Sequence, residues 1–148
     1  MQARVAARVI LLSLTTLACA WAAAGYTPPT SHEFVMSIRS YPFVASAARR
    51  EKIRAGVAQL TRCAPEKAVL GLIGNPDFGY VSYQAGTNGT VPASRVWHYI
   101  LEKKAPTEVE PSASVVIWFD KGGKLKTIAV HGARDIESTV SRRTQECP

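Results

Sequence analysis

The sequence has few of the residues that build catalytic or metal sites. Its 148 residues include three cysteines and three histidines, and none of them have the His-x-x-x-His or Cys-x-x-Cys spacing of metal ligands. No serine lies in a Gly-x-Ser-x-Gly turn, and no glycine-rich segment leads into the Lys-Ser/Thr of a phosphate-binding loop. We therefore expect no enzymatic activity, no metal site and no cofactor.

Two arrangements of reactive residues are the alternatives to that expectation. Cys63 would act as a nucleophile if His98 or His131 served as its base. The two histidines could instead bind a metal together with Asp135. The histidines are far apart in the sequence, and separate surface histidines are the simpler interpretation of the pattern.

Long apolar runs are also missing, except near the start of the chain. Arg4 and Arg8 precede an apolar run at residues 9–17, and small residues follow it up to Ala24. This order is typical of a secretion signal. The run is shorter than the roughly 20 residues that a membrane-spanning helix needs. We predict that residues 1–24 are a secretion signal and that the protein is exported.

Cys19 leaves other ways of processing this signal open. Residues 16–19 (Thr-Leu-Ala-Cys) are similar to a bacterial lipobox, in which the cysteine is lipidated, although Thr16 replaces the usual leucine. An uncleaved anchor is the third alternative. Cleavage after Ala24 would remove two arginines and lower the net charge from +7 to +5 (16 basic minus 11 acidic residues). We expect an exported basic protein to meet anionic lipid or acidic proteins, and no nucleic acid.

Cleavage after Ala24 would leave two cysteines, Cys63 and Cys147. An even number of cysteines in an oxidising compartment predicts one disulfide. The bond would close most of the mature chain into a loop, which contributes about 4–5 kcal/mol in the chain-entropy treatment.

Two helices are predicted in the first half of the mature chain. Ser46 is a candidate N-cap for residues 46–60, where Ile53, Val57 and Leu60 have helical spacing. Gly56 either weakens this helix or lets another element approach. A second helix begins near Pro65 and is expected to end sharply in the segment AVLGLIGNPDFGY (68–80), where a glycine is followed two residues later by a proline.

The second half of the chain has the composition of β-strands. Strands are predicted at residues 78–84, 95–103, 114–120 and 124–130, and the last two form a hairpin through Lys-Gly-Gly. Residues 85–94 and the proline-rich residues 104–113 are expected to be loops. We predict an α+β fold, with two N-terminal helices packed on one face of a three- to four-stranded antiparallel sheet. The predicted divisions are a secretion signal (1–24), an extended segment (25–45), the α+β domain (46–133) and a C-terminal tail with a candidate helix (134–148).

Aromatic side chains are the best candidates for contact with a partner. Strand alternation directs Trp97 toward the helices, whereas His98 faces outward. Some of the remaining aromatic residues must lie on the outer face, where they can anchor a protein or lipid partner. The candidate partner-binding residues are Tyr80, Tyr83, His98 and Trp118.

Three motifs, in this order, resemble the SmpA/OmlA family of small outer-membrane lipoproteins. Val69 and residues 72–77 (Leu-Ile-Gly-Asn-Pro-Asp) are similar to a family segment in which a valine is followed by Leu-Leu-Gly-x-Pro-Asp. Residues 97–99 (Trp-His-Tyr) match its Trp-x-Tyr strand. Residues 119–125 (Phe-Asp-Lys-Gly-Gly-Lys-Leu) match its Phe-Asp-x-x-Gly-x-Leu/Val segment. The resemblance spans about residues 53–130, and residues 63–65 (Cys-Ala-Pro) replace the family's Gly-Met-Thr.

The resemblance implies a fold shared with secreted β-lactamase-inhibitor proteins, and a role in the assembly of β-barrel proteins. The family has no catalytic residues. The expected protein is therefore a non-enzymatic envelope accessory or scaffold, in the periplasm or on the periplasmic face of the outer membrane. Its expected partners are envelope proteins, among them the β-barrel assembly machinery, with contact to anionic lipid. A soluble periplasmic inhibitor or ligand-binding module of the same fold is the alternative.

Overall fold

The computed structural model describes residues 26–140. The predicted secretion signal, Cys19 and Cys147 lie outside these residues. The elements in chain order are α1 (Ser31–Ser37), β1 (Phe43–Val44), α2 (Ala47–Gln59), α3 (Glu66–Ile73), β2 (Phe78–Gly86), β3 (Gly89–Lys103), β4 (Ala113–Asp120), β5 (Leu125–His131) and α4 (Arg134–Val140).

All five strands belong to one antiparallel sheet, and β3 is its central strand. One side of β3 pairs with β2 over residues 89–98 and with β1 at its end. The other side pairs with β4, which in turn pairs with β5. The α+β prediction is confirmed, and the described residues hold four helices and five strands. None of the helices within residues 26–140 has the length and apolar character needed to cross a membrane.

Residues 25–45 were expected to be extended, but they contain α1 and β1. A capping box begins α1: the Thr30 hydroxyl accepts the N–H of Glu33, and the Glu33 carboxylate accepts the N–H of Thr30. This reciprocal pair satisfies two N–H groups that a helix start otherwise leaves unpaired. Phe34 is the buried residue of the helix.

Helix α2 begins as predicted, because the Ser46 hydroxyl accepts the N–H of Arg49. The role of Gly56 is also clear. A Cβ atom at this position would lie 2.8 Å from the carbonyl oxygen of Leu72 and 2.7 Å from Cγ1 of Ile73. Glycine therefore allows α2 and α3 to cross in close contact.

Helix α3 ends at Gly74, as the sequence predicts. Gly74 has a φ of +93°, and its N–H donates to the Leu70 carbonyl at 2.9 Å. Its carbonyl in turn accepts the Tyr99 hydroxyl from β3 at 3.0 Å. The helix end is thus fixed to the sheet, and β2 starts four residues later.

The main core lies between the sheet and the helices α2, α3 and α4. Its largest fully buried side chains from the sheet include Trp97, Tyr99 and Phe119. Ile53 from α2 and Ile136 from α4 are members of the same cluster. Trp97 and Tyr99 therefore face the helices, as the alternation of β3 predicts.

The loop expected at residues 85–94 is instead the end of a long hairpin. β2 and β3 continue into it and pair up to Gly86 and Gly89, with a two-residue turn between them. The Ser82/Tyr83 register shift lies opposite residues 92–94, which include Pro92. Proline has no N–H to donate, and a bulge is one of the few places in a sheet that tolerates it. We call residues 78–94 the ribbon.

Candidate partner-binding surface

The face of the sheet opposite α2, α3 and α4, here the outer face, contains three of the four predicted partner-binding residues. Tyr80 pairs with Val96, and Val96 pairs with Trp118, so the two aromatic residues flank a buried valine. Tyr80 is 52% exposed, and Trp118 is partly buried. The pairing register thus brings together residues that are 38 positions apart in the sequence.

His98 lies in the neighbouring row of the outer face, and its ring is only partly exposed. It stacks on Phe78 with ring centroids 4.3 Å apart, and Tyr80 lies 5.7 Å away. Both ring nitrogens are buried, and they have no hydrogen-bond partner among the described residues. Burial, with a smaller contribution from the charge of His131, lowers the pKa of His98 to about 4. In this position the His98 ring packs against Tyr80, and its buried nitrogens cannot contact a partner.

Tyr83 lies further along the ribbon, beyond the end of β4. The last pair between β3 and β4 is Ser94 with Asp120, so the ribbon extends past the rest of the sheet. Tyr83 is 61% exposed, and its exposed apolar neighbours are Val81 and Val91. The predicted aromatic site therefore divides into a row on the sheet and a protruding strand pair.

The ribbon carries no charge. Residues 78–94 contain no Asp, Glu, Lys or Arg, although such residues make up 20% of the chain. Beyond Gly79, no strand within residues 26–140 pairs with the outer edge of β2. Natural proteins commonly protect such edges with charges, so a long neutral edge is a template for another extended chain.

One extended segment of the chain already uses this edge. The Pro29 carbonyl accepts the N–H of Gly79 at 2.9 Å, and Pro28 packs where a Cβ atom of Gly79 would otherwise lie. Tyr26 continues this contact: its ring packs edge to face against Trp97, with ring centroids 5.9 Å apart. Backbone N–H groups on one edge of a strand recur at every second residue, so that of Val81 is next along the same edge.

The basic residues of α2, which could attract anionic lipid, are largely neutralised by nearby acids. Arg49 pairs with Asp77 at 2.9 Å, and Arg50 pairs with Asp135 at 2.5 Å. A third pair joins Arg54 to Glu51 on the same helix. Three of the cations in this helix therefore have carboxylate partners, which weakens the attraction that α2 would exert on anionic lipid.

The residues of the alternative metal arrangement do not form a cluster. Asp135 is engaged with Arg50, while the His98 ring is stacked on Phe78 on the outer face. Within residues 26–140, no group of three His, Cys, Asp or Glu side chains is close enough to hold a metal ion. The predicted Cys63–Cys147 disulfide stays a prediction, because Cys147 lies outside the described residues.

Sequence reasoning missed the extension of the ribbon and a buried lysine, Lys103, at the end of β3. The ribbon had a detectable signal, because Asn88-Gly89 follows an alternating segment and no charge interrupts residues 78–94. Lys103 had none, since it follows Glu102 and precedes Lys104 in what looks like an exposed strand end.

Comparison with known proteins identifies no relative of this chain. No protein-family model matches the chain, and no curated protein or solved structure matches it either.

Proposed function

We propose that this protein is a non-enzymatic, exported cell-envelope protein that acts as an accessory or scaffold in outer-membrane assembly or integrity. It binds an envelope protein through the ribbon and the adjoining outer face. The observation that carries the proposal is the long, uncharged and exposed strand pair with a free edge at β2. The motif resemblance to the SmpA/OmlA family supports the location and the class of partner.

The partner that fits this surface is an extended segment of another envelope protein. Its backbone would pair with the free edge of β2, continuing the contact that Pro29 makes at Gly79. Tyr80 and Tyr83 would supply the side-chain contacts, since exposed tyrosines contribute large areas at low cost in conformational entropy. Segments of the β-barrel assembly machinery, or of the barrels themselves, have this chemistry.

Site-specific cross-linking tests this proposal. A photoreactive phenylalanine analogue at Tyr83 is expected to capture an envelope protein in intact cells. The same group at Lys67, an exposed residue of α3 outside the ribbon, serves as the control. Capture of the same proteins from both positions, or of none from Tyr83, would contradict the proposal.

Cleavage and lipidation set the location, and intact-mass measurement of the protein from separated membrane and periplasmic fractions tests both. A lipidated Cys19 would anchor the protein to the outer membrane. A soluble protein that begins after Ala24 would contradict the lipoprotein form. The same measurement without reduction tests the disulfide, because a mass two hydrogens too high would mean that Cys63 and Cys147 are not joined.

A soluble periplasmic inhibitor or ligand-binding module is the second candidate. The two-residue turn that closes the ribbon favours it, since a narrow hairpin tip can enter the cleft of another protein. In this case the protein cross-linked from Tyr83 would be a soluble periplasmic enzyme. Capture of an outer-membrane protein would favour the first candidate instead.

A further inference from the structure

Lys103 is the only charged residue that is buried among residues 26–140, with 5% of its surface exposed. A bulge places it there. Leu101 is an extra residue between the pairs Ile100–Ser114 and Glu102–Ala113. Without this bulge, alternation would turn Lys103 toward the core that contains Leu101. Bulges commonly redirect a side chain in this way near functional sites.

The redirected side chain lies beside α1. Lys103 pairs with Phe43 of β1, and the Phe43 ring contacts the ring of Phe34 at 5.7 Å between centroids. Phe34 in turn contacts Phe78 at the base of the ribbon, at 5.8 Å. Lys103 therefore belongs to the outer-face side of the sheet, at the end that α1 covers.

A cavity of about 330 Å³ opens at this place, between α1 and the connection from β3 to β4. Its apolar walls include Phe34, Val35, Phe78 and Ile100, and Lys103 is part of its lining. Small-molecule sites are concave, mostly apolar and provided with a few polar groups, with volumes of about 300–1,000 Å³. This cavity is at the small end of that range.

The ammonium of Lys103 is only partly satisfied by the protein. Nζ donates to the backbone carbonyl of Glu108, which is a neutral acceptor. No carboxylate in the described part of the chain forms a salt bridge with it. An ammonium has three donors, and burial of a charge is costly unless an opposite charge or several hydrogen bonds compensate.

Glu108 is the acidic residue in the cavity lining, and its carboxylate is engaged by other groups. The Glu108 carboxylate accepts the Ser112 hydroxyl and the N–H of Lys104, both at 2.7 Å. The hydrogen bond from Ser112 and then that from Lys104 are the largest causes of the lowered pKa of Glu108, and the charge of Lys103 adds a smaller part. Glu108 thus shapes the connection, and its oxygens are not the partner of the Lys103 ammonium.

We infer that this cavity binds a small organic anion with an apolar body, a medium-chain monocarboxylate being the simplest example. The carboxylate pairs with the ammonium of Lys103, and the chain lies against Phe34, Phe78 and Ile100. A cation is excluded by the buried positive charge. A neutral alcohol of the same length would contact the same apolar walls but leave the Lys103 ammonium without a counter-ion.

Calorimetric titration of the purified protein with octanoate tests this inference, with octylamine and octan-1-ol as the cationic and neutral analogues. Octanoate is expected to bind, and octylamine is not. Lys103→Met should weaken octanoate binding more than tenfold. Lys104→Met is the matched control, because Lys104 is the exposed neighbour outside the cavity lining, and it should bind octanoate as the natural protein does.

A second pair of variants keeps the test independent of the folding of Lys103→Met. Val35→Trp places a large ring in the cavity and should abolish octanoate binding. Met36→Trp adds the same ring at a neighbouring position of α1 that is 72% exposed, and it should leave binding unchanged. The inference is overturned if the natural protein fails to bind octanoate or binds octan-1-ol as tightly. Equal binding by both members of either variant pair also overturns it.

Discussion

The carboxylate of Asp77 accepts the backbone N–H of Ile100 at 2.6 Å, at the point of β3 where one partner strand ends and another begins. β2 reaches His98, and β1 starts opposite Glu102. Ile100 would otherwise present a buried, unpaired N–H to the gap between them. Asp77 therefore serves as a side-chain substitute for the missing strand.

Asp77→Ala should destabilise the protein by about 2–3 kcal/mol. The substitution leaves a buried N–H at Ile100 without an acceptor, and it leaves Arg49 without its carboxylate partner. The free energy of unfolding in urea, followed by tryptophan fluorescence, measures the effect. Glu110→Ala, which removes an exposed carboxylate from the β3–β4 connection, should change that free energy by less than about 0.5 kcal/mol.

Asp77→Asn separates the hydrogen bond from the charge. Burial raises the pKa of Asp77 despite the opposing effects of Arg49 and Ile100. The charged form is therefore disfavoured in the folded state, and a neutral amide oxygen can still accept the N–H of Ile100. Asn should restore most of the stability lost in Asp77→Ala, and an equal loss in both variants would refute the role assigned to the Ile100 hydrogen bond.

Local rules predict the helical layer well because the determinants are close in the sequence. The Ser46 cap, the close crossing at Gly56 and the stop at Gly74 each depend on one residue and its neighbours. The same rule would have found α1, since Thr30 and Glu33 form a capping box. Prolines at positions 28, 29 and 42 favour an extended segment instead, but the first two lie before α1 and the third lies after it.

The features that involve the candidate sites depend on pairing between distant residues. The position of Tyr80 across Val96 from Trp118 follows from the register of three strands, which no local pattern fixes. The burial of Lys103 depends on one extra residue at Leu101, since a shift of one position moves a side chain to the other face. Alternation alone places neither residue correctly.

Two glycine-to-alanine substitutions should have opposite effects on stability. Gly132 has a φ of +65°, and a Cβ atom there would lie 2.0 Å from the carbonyl oxygen of Ser112. Gly132→Ala should cost at least about 2 kcal/mol, because it combines backbone strain with a clash against fixed backbone. Gly71, inside α3, has no heavy atom within 4 Å of an added Cβ atom.

Gly71→Ala should therefore stabilise the protein by about 0.5–1 kcal/mol, since alanine restricts the unfolded chain and favours the helix. Thermal unfolding of the two variants beside the natural protein measures both effects. Stabilisation by Gly132→Ala would mean that the carbonyl of Ser112 does not lie close to Gly132.

Binding through the ribbon should depend little on salt. The ribbon is neutral, and raising the ionic strength from about 0.1 to about 1 M shortens the screening length from about 10 to about 3 Å. The affinity for the protein cross-linked from Tyr83 should therefore stay within a factor of about three. Attachment through basic residues would instead weaken steeply.

The side chain of Tyr83 should carry a large part of that affinity. Tyr83→Ser is expected to weaken binding by more than tenfold without changing the unfolding transition, because the side chain is 61% exposed. Tyr83→Phe keeps the ring and should bind within a few-fold of the natural protein. A steep dependence on salt combined with unchanged binding by Tyr83→Ser would mean that the partner uses another surface.

His98 should make the protein less stable as the pH falls from about 6.5 to about 4. Burial lowers its pKa to about 4 in the folded state, while the unfolded chain has the ordinary value of 6.5. Between these values the unfolded state binds more protons, so acidification favours unfolding. The stability that neutral His98 contributes to the folded state is fully present above pH 6.5 and lost below about pH 4. Allowing for solvent screening of a partly exposed ring, it amounts to about 1–2 kcal/mol.

His98→Phe isolates this contribution from that of the carboxylates, which titrate in the same range. The phenyl ring can keep the stack on Phe78 but cannot take up a proton. The loss of unfolding free energy between pH 7 and pH 4 should be smaller in His98→Phe than in the natural protein. His131→Gln, at an exposed position on β5, should retain most of the pH dependence. The prediction would be wrong if His98→Phe lost as much stability on acidification as the natural protein. That result would mean that the two buried, unpaired ring nitrogens of His98 take up a proton in the folded state without cost.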